Sequence, residues 1–305
     1  MSFLTRRKFL MAGAGAMVGA GGLGSWAFAL EPGYMLNVTS YNLTPQGWPA
    51  NLQMKAVVIA DIHACEPWMS VERIRHICEV SNALNPDVIF LLGDYQAGMR
   101  MVTKAVWPEE WGEALSILKA PHGVYGVLGN HDIWHGILPG VKGDEGATVA
   151  RTLTQASVRV LNNDVVRLTK DGAHVWIAGL ADQMYDWDRA QRRWIGQDDL
   201  EGTLKRVTDD APVILLAHEP FIFPRVPKRV ALTLCGHTHG GQIMLPFIGN
   251  PLLLRRIKAA YAYGHVIEDG RHMIVSAGLG TSIIPARFMR PPEIVQINLG
   301  SQAIV

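Results

Sequence analysis

The sequence predicts an α/β domain whose functional site lies where parallel strands end. Two short apolar runs, from Lys55 to Ala60 and from Asp87 to Leu92, have the composition of strands that are buried on both faces. Apolar residues recur at helical spacing between them, and side chains of metal-binding types follow these and later strands. Open α/β sheets place their sites at such strand ends, because the strands hold the converging loops rigidly.

The segment between the two runs is predicted to be a helix. One helical face carries four apolar residues, Ile74, Ile77, Cys78 and Leu84. Ser70 is suited to cap the start of this helix, and Asn85-Pro86 is suited to end it. A strand, a helix and a second strand in succession form a β-α-β unit, which requires parallel strands and a right-handed crossover.

Six further segments are predicted to be strands, because most are short, apolar and rich in β-branched residues. They run from Val124 to Leu128, His174 to Ala178, Pro212 to Ala217, Ala231 to Cys235, Met273 to Ser276 and Glu293 to Leu299. The chain from Tyr34 onward has no long linker, charge block or internal repeat. Residues 34–305 are therefore expected to form one domain.

The overall composition excludes recruitment of a partner by net charge. The chain of 305 residues has 28 basic and 27 acidic side chains, so no nucleic acid affinity is expected from its formal charge of +1. An anionic substrate must be attracted locally. The three cysteines, Cys65, Cys78 and Cys235, form no CxxC pair, and they are expected to be buried core residues rather than parts of a disulfide framework or zinc ribbon.

Residues 1–29 have the pattern of an export signal. Arg6, Arg7 and Lys8 precede a stretch from Phe9 to Leu30 in which no residue is charged. Ala27-Phe28-Ala29 supplies the small-x-small pattern of a signal peptidase site, which predicts cleavage after Ala29. An uncleaved membrane anchor is the alternative, because glycine-rich segments also pack in membranes.

The arginine pair and the weakly hydrophobic, glycine-rich stretch favour the twin-arginine export route over the general secretory route. The twin-arginine machinery is therefore an expected partner. The periplasm or the outer face of the cytoplasmic membrane is the expected location.

Five polar blocks follow five predicted strands in order. They are Asp61-x-His63, Gly93-Asp94, Gly129-Asn130-His131-Asp132, His218 and Gly236-His237-x-His239. A single Asp or His after a strand is usually a turn residue, but five such blocks at strand ends indicate a shared site. Side chains two residues apart on an extended segment point the same way, so both members of each pair can aim at one cluster. Carboxylate, amide and imidazole donors suit hard or borderline divalent cations.

These blocks resemble the signature of the calcineurin-like metallophosphoesterases, which reads DxH, GD, GNHD or GNHE, H and GHxH. All five blocks are present. Further segments resemble the exported bacterial phosphodiesterases of this superfamily, namely Gly240-Gly241-Gln242, residues 278–282 and residues 290–293. The resemblance implies a β-sandwich flanked by helices, in four layers ordered α/β/β/α.

The resemblance also implies two divalent metal ions, of manganese, iron or zinc, and a hydroxide nucleophile that they activate. Metal one would be bound by Asp61, His63, Asp94 and His239, and metal two by Asp94, Asn130, His218 and His237, with Asp94 as the bridge. His131 resembles the residue that donates a proton to the leaving group or stabilises the charge of the transition state. Asp132 would orient the His131 imidazole.

The leading expectation is a phosphodiesterase that acts on a cell-envelope or small phosphodiester. The alternatives are a phosphomonoesterase or nucleotidase on the same core, and a non-catalytic metal-binding envelope protein. An apolar stretch runs from Ile243 to Leu254 and precedes Arg255 and Arg256. It is interpreted either as buried packing or as one wall of a cleft for a lipid- or wall-linked phosphoester. A peripheral membrane contact is a further expectation.

Overall fold

The computed structural model describes residues 21–99, 101–134, 143–251 and 259–300. Two six-stranded sheets form its centre. The strands are β1 (Asn37–Leu43), β2 (Met54–Ile59), β3 (Cys65–Glu66), β4 (Val88–Leu91), β5 (Lys104–Ala105), β6 (Val124–Gly126), β7 (Arg159–Val160), β8 (Asp164–Lys170), β9 (Ala173–Gly179), β10 (Asp186–Asp188), β11 (Arg193–Ile195), β12 (Val213–Leu216), β13 (Val230–Cys235), β14 (Gly264–Glu268), β15 (Arg271–Val275) and β16 (Glu293–Leu299).

The described residues also contain six α-helices. They are α1 (Glu31–Tyr34), α2 (Val71–Ala83), α3 (Pro108–Leu115), α4 (Asn130–Trp134), α5 (Ala147–Gln155) and α6 (Leu200–Lys205). Residues 21–34 form one continuous helical segment that ends with α1 and contains a π-helical turn, Trp26–Leu30. Short 3-10 turns occupy Pro220–Arg225, His239–Gly241 and Ala259–Tyr261.

Each of the two sheets contains four adjacent strands that run parallel to one another. The first sheet has the order β1-β16-β2-β4-β6-β7, in which β2, β4, β6 and β7 are parallel. The second has the order β14-β15-β13-β12-β9-β8, in which β15, β13, β12 and β9 are parallel. Two small antiparallel pairs, β3 with β5 and β10 with β11, lie outside them. The carboxyl ends of the central strands therefore carry the loops that follow them at one edge of each sheet.

Alternation of side chains along the strands divides the core into layers. Val58 and Phe90 of the first sheet pack between the sheets with Ile214 of the second. The outer face of the first sheet packs on α2, α3 and α5 through residues that include Ile77 and Trp111. The second sheet has its own outer cluster, which includes residues of α6 and of the Pro220–Arg225 turn. These α/β/β/α layers confirm the predicted fold class.

The predicted β-α-β unit is present as β2, α2 and β4, and its two strands pair in parallel. The Ser70 hydroxyl caps α2 by accepting a hydrogen bond from the Arg73 N–H at 3.2 Å. Each of the eight predicted strands corresponds to a strand of the structure, and its ends differ from the observed ends by at most two residues. The three cysteines are free and buried, as expected of core residues.

Two sequence predictions concern residues that lie partly outside the described ranges. Residues 1–20 of the predicted export signal are among them, as are Leu252 to Arg256 of the apolar stretch. Within the described ranges, none of the helices combines the length and the apolar character that crossing a membrane requires.

Candidate metal centre

Seven predicted ligands meet where the central strands of both sheets end. Asp61 and His63 follow β2, Asp94 follows β4, and Asn130 begins α4 just after β6. From the second sheet, His218 follows β12, while the pair of histidines at 237 and 239 follows β13. All but His237 are buried, and His237 is partly exposed. The structure therefore brings all seven predicted ligands together in one largely buried site.

One group of ligand atoms forms around Asp61. The Nε2 atoms of His63 and His239 are 3.1 Å apart, and Asp61 Oδ1 lies 3.9 Å from His239 Nε2. Ligand atoms of these three residues all lie within 4.8 Å of one another. This group matches three of the four ligands that the resemblance implied for metal one.

A second group forms on the other side of Asp94. The Oδ2 atom of Asp94 is 3.2 Å from His218 Nε2 and 3.5 Å from His63 Nε2, so it faces both groups. Ligand atoms of Asp94, His218 and His237 lie within 4.8 Å of one another. Asn130 Oδ1 lies 3.0 Å from His237 Nδ1. The Asp94 carboxylate thus lies between the two groups.

The backbone at these positions is strained. Five predicted ligands have a positive φ, namely Asp61 (53°), His63 (47°), Asp94 (57°), His237 (70°) and His239 (52°). For residues other than glycine, this left-handed region costs on the order of 1 kcal/mol each and clusters at functional sites. The backbone at the two ligand pairs is therefore not extended as predicted, and sharp turns after the strands aim these side chains.

Hydrogen bonds to backbone carbonyls orient two of the imidazoles. His63 Nδ1 lies 2.9 Å from the Gln96 carbonyl oxygen, and His218 Nδ1 lies 2.6 Å from that of Leu92. A carbonyl can only accept, so each Nδ1 carries the proton and each Nε2 presents its lone pair to the cluster. Such outer partners are typical of metal-binding histidines.

Two glycines of the polar blocks leave room for the ligands. A Cβ atom at Gly129 would lie 2.4 Å from Asp94 Oδ1, and one at Gly236 would lie 2.6 Å from Asp61 Oδ2. Backbone and carboxylate can approach this closely only where no side chain intervenes. The glycines in GNHD and GHxH are therefore a steric requirement of the site.

Asp132 has a different contact set from the one that the sequence predicts. Its two carboxylate oxygens accept hydrogen bonds from four backbone N–H groups, those of Asp94, Tyr95, Gln96 and Gly129, at 2.8–3.2 Å. The expectation that Asp132 orients the His131 imidazole is therefore corrected. Through these four hydrogen bonds the carboxyl group holds the backbone that carries Asp94.

His131 lies at the edge of the cluster and is partly exposed. Its ring packs edge-on against the His63 ring at 4.9 Å between centroids, and its Nε2 lies 3.3 Å from the Ser282 hydroxyl. Burial lowers the pKa of His131 to about 4. Ligand atoms of His131, His63 and Asp94 also lie within 4.8 Å of one another.

The charges of the centre fit divalent cations. Burial raises the pKa of Asp61 to about 7, and within the described residues its Oδ2 atom has no hydrogen-bond partner. A buried carboxylate of this kind requires a compensating cation to stay ionised. Two carboxylates, one amide and four imidazoles together make a donor set suited to zinc, iron or manganese.

Arg287 is a site residue that the sequence analysis missed. Its guanidinium is fully buried and donates hydrogen bonds to the carbonyls of Ala277 (2.8 Å), Gly280 (3.0 Å) and Arg290 (2.9 Å). One of its nitrogens lies 3.4 Å from His239 Nδ1. It thereby supports the loop behind Asp61 and the His239 ring, a role that no sequence motif signals.

The sequence model of the family described as Calcineurin-like phosphoesterase matches residues 54–265. This chain belongs to that family. The calcineurin-like phosphoesterase is 33% identical to the uncharacterized metallophosphoesterase YkuE of Bacillus subtilis over 99% of both chains. It is 25% identical to the phosphodiesterase YaeI of Escherichia coli over 97% of this chain and 99% of that protein. The predicted family is confirmed, and the chain is a metal-dependent phosphoester hydrolase.

Another relative is an uncharacterized metallophosphoesterase of Aquifex aeolicus. It is 31% identical over 87% of this chain and 92% of its own length. The likeness to this relative and to the two above therefore extends along nearly the whole phosphoesterase and is not confined to the polar blocks.

Replacement of Asp94 by asparagine is expected to abolish activity and lower bound metal, because the bridging charge between the two ligand groups is lost. In the unchanged protein, manganese at about a hundredfold excess over its Kd should add about 2.7 kcal/mol of stability. The variant should lose most of this shift in thermal unfolding. The exposed Asp210→Asn is the matched control. Full activity with two bound metals in Asp94→Asn would show that Asp94 is no bridge.

Proposed function

We propose that this phosphoesterase is a phosphodiesterase that works with two divalent ions. The observation that carries the proposal is the position of Asp94 Oδ2, which lies 3.2 Å from His218 Nε2 of one ligand group and 3.5 Å from His63 Nε2 of the other. Two ions held in this way supply an activated hydroxide and stabilise charge on the phosphoryl oxygens. Zinc, iron and manganese all suit the ligands.

In this proposal the side chains of the centre bind the ions, act on the leaving oxygen or position Asp94. Asp61, His63 and His239 would hold one ion, while Asn130, His218 and His237 would hold the other, with Asp94 shared. His131 would donate a hydrogen bond or a proton to the oxygen that leaves phosphorus. Asp132 keeps the Asp94 backbone in place through its four N–H contacts. Because the strands fix these loops, the centre needs little rearrangement to react.

A diester is the proposed substrate class. Support comes from the phosphodiesterase YaeI of Escherichia coli, which aligns along nearly the full length of both chains. We expect kcat/KM with manganese to be at least about tenfold higher on bis(p-nitrophenyl) phosphate than on p-nitrophenyl phosphate, a difference of ~1.4 kcal/mol in transition-state binding. The reverse order of rates would identify a phosphomonoesterase, and no hydrolysis of either ester would contradict the diesterase proposal.

Replacement of His131 by alanine separates catalysis from metal binding. We expect both metals to be retained and kcat to fall by roughly 10²–10⁴-fold, the usual range for a positioned proton donor. The measurement pairs metal analysis with the rate on bis(p-nitrophenyl) phosphate. His122→Ala is a matched control, because His122 lies before β6, at the opposite end of that strand from the site. Loss of metal from His131→Ala would make His131 a ligand.

We also propose that the protein is exported through the twin-arginine route and acts in the periplasm or on the outer face of the cytoplasmic membrane. Arg6-Arg7 and the uncharged stretch that follows support this. Twin-arginine export carries folded proteins, so the metal centre would be assembled before transport. An envelope phosphodiester, either lipid- or wall-linked, would then be the substrate within reach.

The double variant Arg6→Lys with Arg7→Lys tests the export route. We expect folded protein to accumulate in the cytoplasm, because lysine keeps the charge but not the planar guanidinium that the export receptor binds. Cell fractionation with an activity assay of each fraction provides the measurement. Lys8→Arg is the control, since it leaves the arginine pair intact. Normal export of the double variant would indicate the general secretory route.

A further inference from the structure

Exposed large apolar side chains are concentrated in three segments of the structure. Within the described ranges, nine of the fourteen exposed large hydrophobic residues lie in residues 23–34, 247–248 and 283–289. They are Leu23, Trp26, Phe28, Leu30, Tyr34, Phe247, Ile248, Ile283 and Met289, and we call them the apolar rim. Single exposed apolar side chains are ordinary, whereas a concentration of them marks a binding surface.

Hydrogen bonds join the helical segment of residues 21–34 to the loop that carries Ile283 and Met289. The Ala27 carbonyl accepts a bond from the Arg287 N–H at 2.9 Å. The Glu31 carboxylate accepts bonds from the N–H groups of Met289 (3.0 Å) and Arg290 (2.6 Å). Glu31 is only 2% exposed, so this joint is a buried part of the fold.

The loop that carries Ile283 and Met289 also contacts the segment next to Phe247 and Ile248, and it reaches the mouth of the metal centre. The Met244 N–H donates to the Phe288 carbonyl at 2.9 Å, next to the turn that exposes Phe247 and Ile248. The Ser282 hydroxyl lies 3.3 Å from His131 Nε2, and Ile283, the next residue, is 79% exposed. The apolar rim therefore borders the side of the site at which His131 is accessible.

The helical segment makes contacts on both sides of the predicted cleavage point after Ala29. Upstream of it, the Trp26 indole donates to Glu31 Oε2 at 2.7 Å, and the Phe28 carbonyl accepts a bond from the Trp68 indole at 2.8 Å. Cleavage after Ala29 would remove these two contacts and the Ala27 carbonyl that pairs with the Arg287 N–H. The retained form therefore keeps the hydrogen bond between Ala27 and Arg287 of the loop beside the site, which the cleaved form would lack.

A lipid bilayer matches the chemistry that surrounds this surface. The chain leading into the segment is uncharged from Phe9 to Leu30 and follows three cationic side chains, Arg6, Arg7 and Lys8. Such a stretch favours the apolar region of a membrane, and cations favour its anionic headgroups. Trp26 and Tyr34 within the apolar rim are side chain types that concentrate at the level of the headgroups.

We propose that residues 21–34 stay attached after export and that the apolar rim lies on a lipid bilayer, which holds the metal centre at the membrane surface. The rim then selects phosphodiesters that are carried by lipids. This choice of substrate rests on the proposed phosphodiesterase function, whereas the membrane contact does not.

Spin labels on the full-length protein test the membrane contact. A nitroxide at Ile283→Cys is compared with one at Ile267→Cys in vesicles of phosphatidylethanolamine and phosphatidylglycerol. Ile267 is also exposed, but it pairs with His272 at the start of β15, the end of that strand remote from the metal centre. The three native cysteines are buried and free, so labelling should be confined to the new thiols.

We expect the label at position 283 to collide readily with oxygen and poorly with a water-soluble nickel complex, as a lipid-exposed label does. The label at position 267 should show the opposite order. Equal, water-like collision rates at both positions would overturn the proposal. Protection of position 283 from both reagents would also overturn it, since that result indicates a protein partner or a second copy of the chain.

Mass spectrometry of the protein isolated from membranes tests retention of the segment. We expect an amino terminus upstream of Gly21, and a terminus at Leu30 would overturn the proposal. Hydrolysis of bis(p-nitrophenyl) phosphate by the unlabelled, unchanged protein separates the two ideas. Lipid exposure at position 283 without hydrolysis of this soluble diester would refute the phosphodiesterase function alone, while hydrolysis with a water-exposed label would refute the membrane contact alone.

Discussion

The Asp94 carboxylate is the interaction on which the rest of the centre depends. Its Oδ1 atom accepts a hydrogen bond from the His131 N–H at 2.9 Å, while its Oδ2 atom faces both His63 and His218. Burial opposes ionisation of this carboxyl group, but the surrounding histidines outweigh burial and hold its pKa well below the usual value. A fixed negative charge in a buried site attracts cations strongly. The Asp132 carboxylate secures the position of Asp94 through the backbone.

The ligands of the centre come from both sheets, so the site is complete only when the two sheets pack together. Asp61 comes from the first sheet, yet its Oδ1 atom accepts a hydrogen bond from the N–H of His237, which follows a strand of the second sheet, at 2.8 Å. The packing of apolar side chains between the sheets therefore sets the distances between ligands. This packing also explains how five left-handed residues are tolerated, because the burial of the core outweighs their local strain.

Central strands and edge strands differed in how well the sequence predicted them. The central strands β2, β4, β12 and β13 are buried on both faces, and their continuous apolar runs made them recognisable. The sheet edges β1, β8 and β14 were missed, because they are partly exposed and mix polar with apolar residues. The order of strands within each sheet depends on packing between distant segments, which no local pattern contains.

The sequence by itself determined the types of ligand, their order along the chain and their attachment to strand ends, since these are properties of short segments. Tertiary structure alone decided that Asp132 binds backbone N–H groups, that Arg287 supports His239, and that Glu31 fastens the helical segment beside the site. Each of these contacts joins residues 36 or more positions apart, except that of Asp132 with Gly129. Only the folded chain brings such distant residues within hydrogen-bonding distance, so their roles follow from packing rather than from local pattern.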